Sequence, residues 1–439
     1  MALNYKEAKL VIDTIPALRK HGEHISTVFY KTMLRDHPEL HNYFNSVHMS
    51  SGAQPRELTK LILAFASNIS NISELVPKLE RVANKHVSLN IQPEHYDIVG
   101  KYLLRAFSAV LGPAAMTPDV QLAWMRMYTV MAKVLMGREA HLYREFENWK
   151  GWRKFMIYSK KNETLEGNIV SFTLKPTDGK PLPSFMPGQY TTLRLTVPGM
   201  KYAQLRQYSL SDAPSHDYYR ITVKRDQGSN WDYAGQDDAM TVSSAATSAS
   251  DSSLGSLHPG RPGIVSNSLI DEFHEGDTIE LTHPAGVFQL DTNIDNSMPL
   301  VLISAGVGVS PLMAMLSTVA EKQMNRPVSW IQASRHDAPF QADVNSIAKR
   351  LPNVRTKFFK SRLSDSDVLS YTSSFDNDFL SLTAEDLYLS NGSTEYKICG
   401  PEDFMMQASS HLARQGVKPE RVQFEVFSIG SYELNNSNS

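Results

Sequence analysis

The hydrophobic period of the sequence changes twice, and this restricts the chain to three successive kinds of fold. Residues 1–150 follow the helical period, with apolar side chains three and four positions apart. Residues 151–295 contain short alternating segments: FMIYSKK, IVSFTLKP, QYTTLRLTV, RQYSLSD and YYRITVKRD. From residue 296 onward a strand, a glycine turn and a helix precede the strand-like segments VSWIQAS, VRTKFFK and EYKICGP. The sequence therefore predicts an all-α domain (1–150), an antiparallel β-barrel (151–295) and an α/β domain with a parallel sheet (296–439).

Charge and cysteine content narrow the class of protein. The 439 residues have a net charge of −2, which gives no overall attraction to nucleic acid or anionic lipid. The single cysteine excludes an intrachain disulfide, and the N-terminal residues, which mix both charge signs, lack the apolar core of a signal peptide. The most apolar run, residues 299–316, is interrupted by glycines and a proline, unlike a membrane span. We expect a cytosolic monomer with small-molecule partners.

A serine-rich segment interrupts the predicted barrel between about residues 229 and 262. Seven of the fourteen residues from Ser243 to Ser256 are serine, and large apolar residues are almost lacking. Such a stretch buries too little surface to offset its ordering entropy. It is predicted to be a disordered insert, and a phosphorylated regulatory insert is the alternative.

A histidine ends an apolar stripe in the helical region. Leu75, Leu79, Val82 and His86 are spaced four, three and four residues apart, so they share one face of a helix. Spacing alone favours a core histidine bonded to backbone over a ligand. The neighbouring helices therefore have to decide between the two.

These neighbouring helices carry a recognisable succession of side chains. Phe29 and Tyr30 precede a short helix that starts at Pro38, and Gln54 and Leu58 share one face of the next helix. The later members are the Lys85–His86 pair, Tyr96 and the Arg138–Glu139 pair. This succession closely resembles the globin domain of flavohaemoglobins, and the resemblance covers essentially all of residues 1–150.

The resemblance implies a role for each matching position. His86 would be the proximal ligand of a haem b iron, with Tyr96 and Glu139 bonded behind it and Lys85 beside it. Tyr30 and Gln54 would lie on the distal face and donate hydrogen bonds to iron-bound dioxygen, and Leu58 would limit access above the iron. Taken singly, Tyr30 and Gln54 could equally be ordinary helix residues.

Two motifs in the barrel region have the chemistry of a flavin site. Tyr190 opens one strand, and Arg206-Gln207-Tyr208-Ser209 follows sixteen residues later, supplying a guanidinium for pyrophosphate, an aromatic ring and a hydroxyl. This second motif could also be a surface strand. Further on, Gly263, Val265 and Ser266 can supply backbone N–H groups, and Ser266 can cap the helix that follows. With Pro284-Ala285-Gly286 and Phe288, these elements resemble the FAD domain of ferredoxin-reductase-type enzymes.

The last region contains a glycine turn suited to a dinucleotide. The turn Gly306-Val307-Gly308-Val309-Ser310-Pro311 lies between a strand and a helix, where a pyrophosphate can approach the backbone. Proline in place of a third glycine departs from Rossmann dehydrogenases and matches the ferredoxin-reductase family. By the same resemblance, Cys399-Gly400-Pro401 would lie near the nicotinamide, and Glu425, Val426 and Phe427 would close the flavin site. Cys399 as a redox-sensing thiol is the alternative.

The end of the second strand of this region bears on the choice of nucleotide. NAD sites usually carry a carboxylate there, whereas an arginine accommodates a 2′-phosphate. This chain has Ser334 and Arg335, with Asp337 as the nearest acid, and plant-type ferredoxin reductases carry a similar pair. NADPH is therefore expected to serve at least as well as NADH, unless Arg335 is a solvated loop residue.

As a whole, the resemblance implies a nitric oxide dioxygenase. NAD(P)H would reduce FAD, FAD would reduce the haem iron, and the oxygen-bound haem would convert nitric oxide to nitrate. Two other functions remain open: an oxygen or nitric oxide sensor whose reductase resets the iron, and a storage globin. The sequence also leaves room for other electron acceptors.

Overall fold

The computed structural model describes residues 3–44, 52–69, 71–146, 148–228, 262–361, 373–374 and 381–427. The predicted order of helical, antiparallel and parallel regions is confirmed. The predicted serine-rich insert lies outside the described residues except for residue 262.

The helical region forms one core. Its helices are α1 (Tyr5–Asp13), α2 (Ile15–Asp36), α3 (Ala53–Ser67), α4 (Val76–Ser88), α5 (Pro93–Ala115) and α6 (Pro118–Glu145), with short 3₁₀ turns at Pro38–Asn42 and Ile72–Leu75. Local sequence sets where they begin: at α6 the Thr117 hydroxyl accepts from Val120 N, and Pro118 occupies the first turn. Phe29, Phe107 and Trp124 are almost fully buried where the helices meet.

The antiparallel region is a six-stranded sheet closed into a barrel. Its strands are β1 (Arg153–Asn162), β2 (Ile169–Pro176), β3 (Tyr190–Leu195), β4 (Gln204–Ser209), β5 (Tyr219–Lys224) and β6 (Thr278–Leu281), in the order β4-β3-β6-β1-β2-β5. An isolated antiparallel bridge between Leu210 and Ile221 joins the two outer strands. Strand β6 has four residues and escaped the sequence analysis, because so short a segment shows no clear alternation.

The third region is a parallel sheet of six strands with helices on its faces. Its strands are β7 (Leu300–Ala305), β8 (Val328–Ser334), β9 (Val354–Lys360), β10 (Ser373–Ser374), β11 (Glu395–Cys399) and β12 (Val422–Glu425), in the order β10-β9-β8-β7-β11-β12. Its helices are α8 (Val309–Lys322), α9 (Gln341–Arg350) and α10 (Glu402–Arg414), and α7 (Ile264–Asp271) belongs to the barrel region. Separate apolar clusters cover the two faces of the sheet, as its nearly continuous apolar strands require.

The predicted domain boundaries fall between these elements. Helix α6 ends at Glu145 and β1 begins at Arg153, while β6 ends at Leu281 and β7 begins at Leu300. The boundaries at 150/151 and 295/296 stay predictions within these intervals. Among the described helices, none combines the length and apolar character needed to span a membrane.

Candidate functional site

His86 is held by two side chains from other helices. Its Nδ1 lies 2.8 Å from Glu139 Oε1 and 2.9 Å from the Tyr96 hydroxyl, and that hydroxyl donates to the same carboxylate oxygen over 2.5 Å. Glu139 is 4% exposed, so the carboxylate is fixed inside the helical core. Nδ1–H is therefore the donor to both oxygens, and Nε2 carries the lone pair.

The geometry around His86 fits a haem ligand. Within the described part of the chain, Nε2 makes no hydrogen bond, and the side chain keeps 31% of its surface exposed on a helix whose other face is core. A carboxylate behind the ring fixes its tautomer and makes it more electron-donating. The described residues contain no cluster of three or more His, Cys, Asp or Glu side chains that could hold a metal ion by itself. A single imidazole suits an iron whose other ligands come from a macrocycle.

Tyr30 and Gln54 meet on different helices. Gln54 Nε2 donates to the Tyr30 hydroxyl over 3.3 Å, so the tyrosine oxygen accepts and keeps its own hydrogen. In the described structure that hydrogen has no acceptor. Burial raises the pKa of Tyr30 to about 12, so the hydroxyl is protonated at neutral pH and can donate to a ligand. Leu58 lies half-buried on α3 against the same core.

Arg206 is a half-buried cation with unused donors. Its only hydrogen-bond acceptor among the described residues is Leu205 O at 2.8 Å, although a guanidinium has five N–H groups. Partial burial lowers the pKa of Arg206, and a partly desolvated charge of this kind suits an anionic partner. Tyr190 and Ser209 lie directly opposite each other on β3 and β4. Burial also raises the pKa of Tyr208 to about 12. These residues fit the diphosphate and ring of a flavin nucleotide.

The second predicted flavin element is placed differently from the sequence expectation. Helix α7 begins at Ile264 with Gly263 as its N-cap residue, so Val265 and Ser266 lie in its first turn. The predicted capping role of Ser266 is therefore wrong. Its hydroxyl instead accepts from Asp226 N at 3.2 Å, tying the helix start to the end of the fifth strand. The helix N-terminus still offers backbone N–H groups to a phosphate.

The glycine turn packs closely against the end of β11. A Cβ on Gly308 would lie 2.3 Å from Cys399 O, so only glycine allows this approach. Gly306 has φ of +57° with no atom within 4 Å of the Cβ position, which leaves open space above the turn. The turn itself is a 3₁₀ turn over Gly306–Gly308, and Val309, Ser310 and Pro311 form the first turn of α8, where the Ser310 hydroxyl donates to Val307 O at 2.8 Å. The turn and the Cys399-Gly400-Pro401 segment therefore form one edge, suited to a dinucleotide.

Cys399 lacks the environment of a redox-sensing thiol. The side chain is fully buried. Burial raises its pKa well above the ordinary value, and the Glu425 charge adds to the shift. Reactive thiols are instead partly exposed and have lowered pKa values.

Two cations lie where β8 and β9 end. Ser334 pairs with Lys360 across the two strands, and Arg335 follows Ser334 at the surface. The Ser361 hydroxyl donates to Arg335 O at 3.2 Å, and Lys360 Nζ lies 3.6 Å from Asp337 Oδ1. Arg335 and Lys360 thus give this corner two positive side chains and one carboxylate.

The helical region touches the flavin motif next to His86. Lys85 Nζ donates to Gln207 Oε1, and Gln207 Nε2 donates to the Ser88 hydroxyl at 2.7 Å. Gln207 lies between Arg206 and Tyr208 on β4. The helix that carries His86 and the strand that carries the flavin motif are therefore in direct contact.

Glu425, the last residue of β12, lies close to Lys85, where the helical region touches the flavin motif. Burial lowers the pKa of Lys85 and raises the pKa of Glu425, and the charge of each group opposes the shift of the other. Arg81 also lowers the pKa of Glu425, and Arg206 lowers that of Lys85. Each of these two charges therefore favours the charged form of the other. Beyond Glu425, Val426 packs against the sheet and Phe427 is 50% exposed.

Several residues of this contact escaped the sequence analysis. Asn84 and Ser88 are buried polar residues one turn apart on α4, and they contact the barrel. Thr282, His283 and Phe146 also take part in the contact between the helical region and the barrel, and none of them belongs to a motif found in the sequence. The one available signal was that Asn84, Lys85 and Ser88 place polar groups beside His86.

Comparison with known proteins agrees with this architecture. Residues 27–135 match the globin family, and residues 302–410 match the oxidoreductase NAD-binding domain family. The flavohemoprotein of Bacillus subtilis (strain 168) is 36% identical over 435 residues, covering 97% of both chains. The flavohemoprotein of Halalkalibacterium halodurans is 37% identical over 440 residues, again covering 97% of both. The crystal structure of flavohemoglobin from Malassezia yamatoensis, with bound FAD and heme, superimposes with a TM-score of 0.77 at 26% identity, covering 98% of this chain and 100% of that one.

Fold and site together define a globin joined to a nucleotide-binding oxidoreductase. With relatives above 30% identity along almost its whole length, the chain belongs to the flavohemoprotein family.

Proposed function

We propose that this flavohemoprotein is a nitric oxide dioxygenase that uses NAD(P)H and dioxygen to convert nitric oxide to nitrate. The observation that carries the proposal is the direct contact between Lys85, the neighbour of His86, and Gln207 of the flavin motif. A storage globin has no use for a reductase strand against its proximal helix.

The cofactors are haem, FAD and NAD(P)H, and the flavohemoglobin of M. yamatoensis holds the first two. When bound, NAD(P)H supplies electrons in pairs, FAD passes them on singly, and the haem iron uses them with dioxygen to oxidise nitric oxide. His86 Nε2 would ligate the iron, Arg206 and the start of α7 would hold the flavin diphosphate, and the turn from Gly306 to Pro311 would hold the nicotinamide nucleotide.

The proximal residues set how strongly His86 donates electrons. The Glu139 carboxylate and the Tyr96 hydroxyl accept from Nδ1–H and fix the ring with Nε2 free. A ring polarised in this way favours oxygen chemistry over reversible oxygen storage. The charges of Lys85 and Glu425 favour each other where the helix of His86 meets the end of β12.

On the distal side, Tyr30→Phe is expected to speed the release of bound dioxygen. The Tyr30 hydroxyl has an unused hydrogen for a partly anionic ligand, and such a bond contributes about 1.5–3 kcal/mol, or about tenfold or more in rate. Stopped-flow measurement of oxygen dissociation tests this. Tyr102→Phe, which removes a buried hydroxyl bonded to Asp36, is the matched control and should leave dissociation unchanged. Equal rates in wild type and Tyr30→Phe would end the distal assignment.

For the nucleotide, we expect NADPH to be used at least as well as NADH. Arg335 and Lys360 offer positive charge at the strand ends, where a 2′-phosphate would lie. Arg335→Ala should lower kcat/KM for NADPH by a factor that corresponds to about 1.5–3 kcal/mol of lost binding free energy. The value of kcat/KM for NADH should be nearly unchanged. The control is Arg350→Ala, an exposed arginine at the end of α9. A loss that is the same for both nucleotides, or no loss, contradicts the assignment.

The proposed function itself is tested by NADPH-driven consumption of nitric oxide under air, with nitrate measured as the product. Stoichiometric nitrate and continuous turnover are expected. Reduction of the haem without nitric oxide turnover would point instead to a sensor whose reductase resets the iron.

A further inference from the structure

A short strip of the barrel, residues 282–286, attaches the globin to the flavin strand. The Thr282 hydroxyl donates to Ser88 O over 2.8 Å, and Gly286 N donates to Asn84 Oδ1 over 2.9 Å. Both acceptors lie on α4, the helix of His86. In the same strip, Ala285 exchanges two backbone hydrogen bonds of 2.9 Å with Tyr190, the first residue of β3. The strip therefore sets how α4 and the flavin strand lie against each other.

The middle of the strip is His283, which contacts the end of α6. Its ring stacks on Phe146 with centroids 4.5 Å apart and planes 10° from parallel. Tyr143 approaches the ring edge-on, with centroids 5.8 Å apart, and its hydroxyl donates to Ile91 O. His283 is 1% exposed, whereas Phe146 and Tyr143 are half-buried, so the histidine ring is enclosed within the domain contact.

The hydrogen bonding of His283 selects one tautomer of its neutral ring. Nδ1 donates to Pro284 O over 2.9 Å, which leaves a lone pair on Nε2. Nε2 is buried and has no hydrogen-bond partner within the described structure. Protonation would place a charged N–H there, among aromatic rings and without an acceptor.

The groups that surround His283 do not compensate such a charge. Tyr143 is the titratable side chain that faces the ring from α6, and α4 meets the strip through the uncharged Asn84 and Ser88. Burial is the main cause that lowers the pKa of His283 below its ordinary value of 6.5, and the bond to Pro284 O opposes it. The stacked contact thus favours a neutral ring.

We propose that His283 is a positioning residue for electron transfer between flavin and haem: its neutral ring, stacked on Phe146, holds the globin against the flavin strand, and its protonation loosens that contact. The proposal rests on the proposed function only in assuming that electrons pass from the flavin to the haem. Well above pH 6.5 the ring is neutral whether the domains are docked or apart, so docking is unaffected. Below pH 6.5, and down to the lower pKa of the docked ring, each pH unit shifts the ratio of docked to separated domains by up to about tenfold.

The test compares two rates in the full holoprotein, measured anaerobically under carbon monoxide by stopped flow with NADPH. One rate is flavin bleaching and the other is haem reduction. In wild type, haem reduction should slow between about pH 7.5 and about pH 5.5 relative to flavin bleaching. His283→Phe keeps an aromatic ring that cannot be protonated, so its ratio of rates should be nearly independent of pH. His283→Ala loses the stack, and its haem reduction should be slow at both pH values with normal flavin bleaching.

A matched control is His41→Ala. His41 also stacks on a barrel residue across the domain contact, Tyr202, with centroids 4.7 Å apart, but outside the strip. This variant should keep the wild-type ratio of rates and its pH dependence. A His283→Phe protein with the wild-type pH profile would overturn the proposal, even if His283→Ala fails to fold.

A second readout does not depend on turnover. Hydrogen–deuterium exchange of residues 143–146, corrected for intrinsic rates, should rise at about pH 5.5 in wild type and not in His283→Phe. Equal exchange in the two proteins overturns the proposal. If NADPH fails to reduce the haem of wild type at all, the proposed function fails, and the exchange comparison still decides the role of His283.

Discussion

Replacing His86 by alanine is expected to yield a protein that retains FAD and contains no haem. His86 is the single side chain positioned by Glu139 and Tyr96 with a free ring nitrogen, whereas the flavin motif lies on the barrel strands β3 and β4. A globin iron depends on its proximal imidazole for stable attachment. Absorbance spectra of the purified variant should show the flavin bands without a Soret band.

The matched control for this change is His141→Ala. His141 is an exposed histidine on α6 that lies 3.5 Å from Glu145, and its loss should leave the haem content unchanged. Added imidazole should restore part of the Soret band in His86→Ala, because it can fill the vacated position. A normal Soret band without imidazole would falsify the assignment of His86.

Arg206→Leu is expected to weaken FAD binding by about 1.5–3 kcal/mol, or about ten- to a hundredfold in Kd. The guanidinium is half-buried, and Leu205 O is its only acceptor in the described structure, so its remaining donors suit the flavin diphosphate. Removing a partly desolvated charge that forms no salt bridge in the described structure should leave the FAD-free protein at least as stable as wild type. Titration of the FAD-free protein with FAD and its thermal unfolding measure the two effects.

Arg194→Leu serves as the comparison for that variant. Arg194 lies on β3 and is paired with Glu280 at 2.7 Å, so its charge is already satisfied within the protein. This variant should keep its FAD affinity and lose a little stability instead. Similar FAD affinities in Arg206→Leu and Arg194→Leu would contradict the role assigned to Arg206.

Local period and turn chemistry were enough to predict the three regions of the fold. The apolar stripe that ends at His86 lies on α4, and the strand, turn and helix around Gly306 are present as expected. These features depend on residues within a few positions of one another. The roles of Tyr96 and Glu139 were predicted from the order of the motifs along the chain together with the resemblance to flavohaemoglobins.

What escaped prediction depends on contacts between distant residues. Lys85 and Gln207 are 122 positions apart, and no local pattern connects them. The predicted role of Ser266 was wrong because the helix begins two residues before it, where Gly263 N donates to Asp226 O just beyond the end of β5. His283 follows a strand of four residues and meets Phe146 only after the globin and the barrel have come together.

The strand order of the barrel has a consequence for how the chain matures during synthesis. Strand β6 lies between β3 and β1, so it joins the pair β3–β4 to the group β1–β2–β5. Until residues 278–281 have left the ribosome, those two halves are joined on one side alone, by the bridge from Leu210 to Ile221 and the hydrogen bonds beside it, such as Ser211 N to Arg220 O. The globin core, complete by residue 145, can fold well before then, because domains fold as units in the order of their synthesis. The nascent chain therefore acquires its haem pocket before it has a closed barrel to receive the flavin.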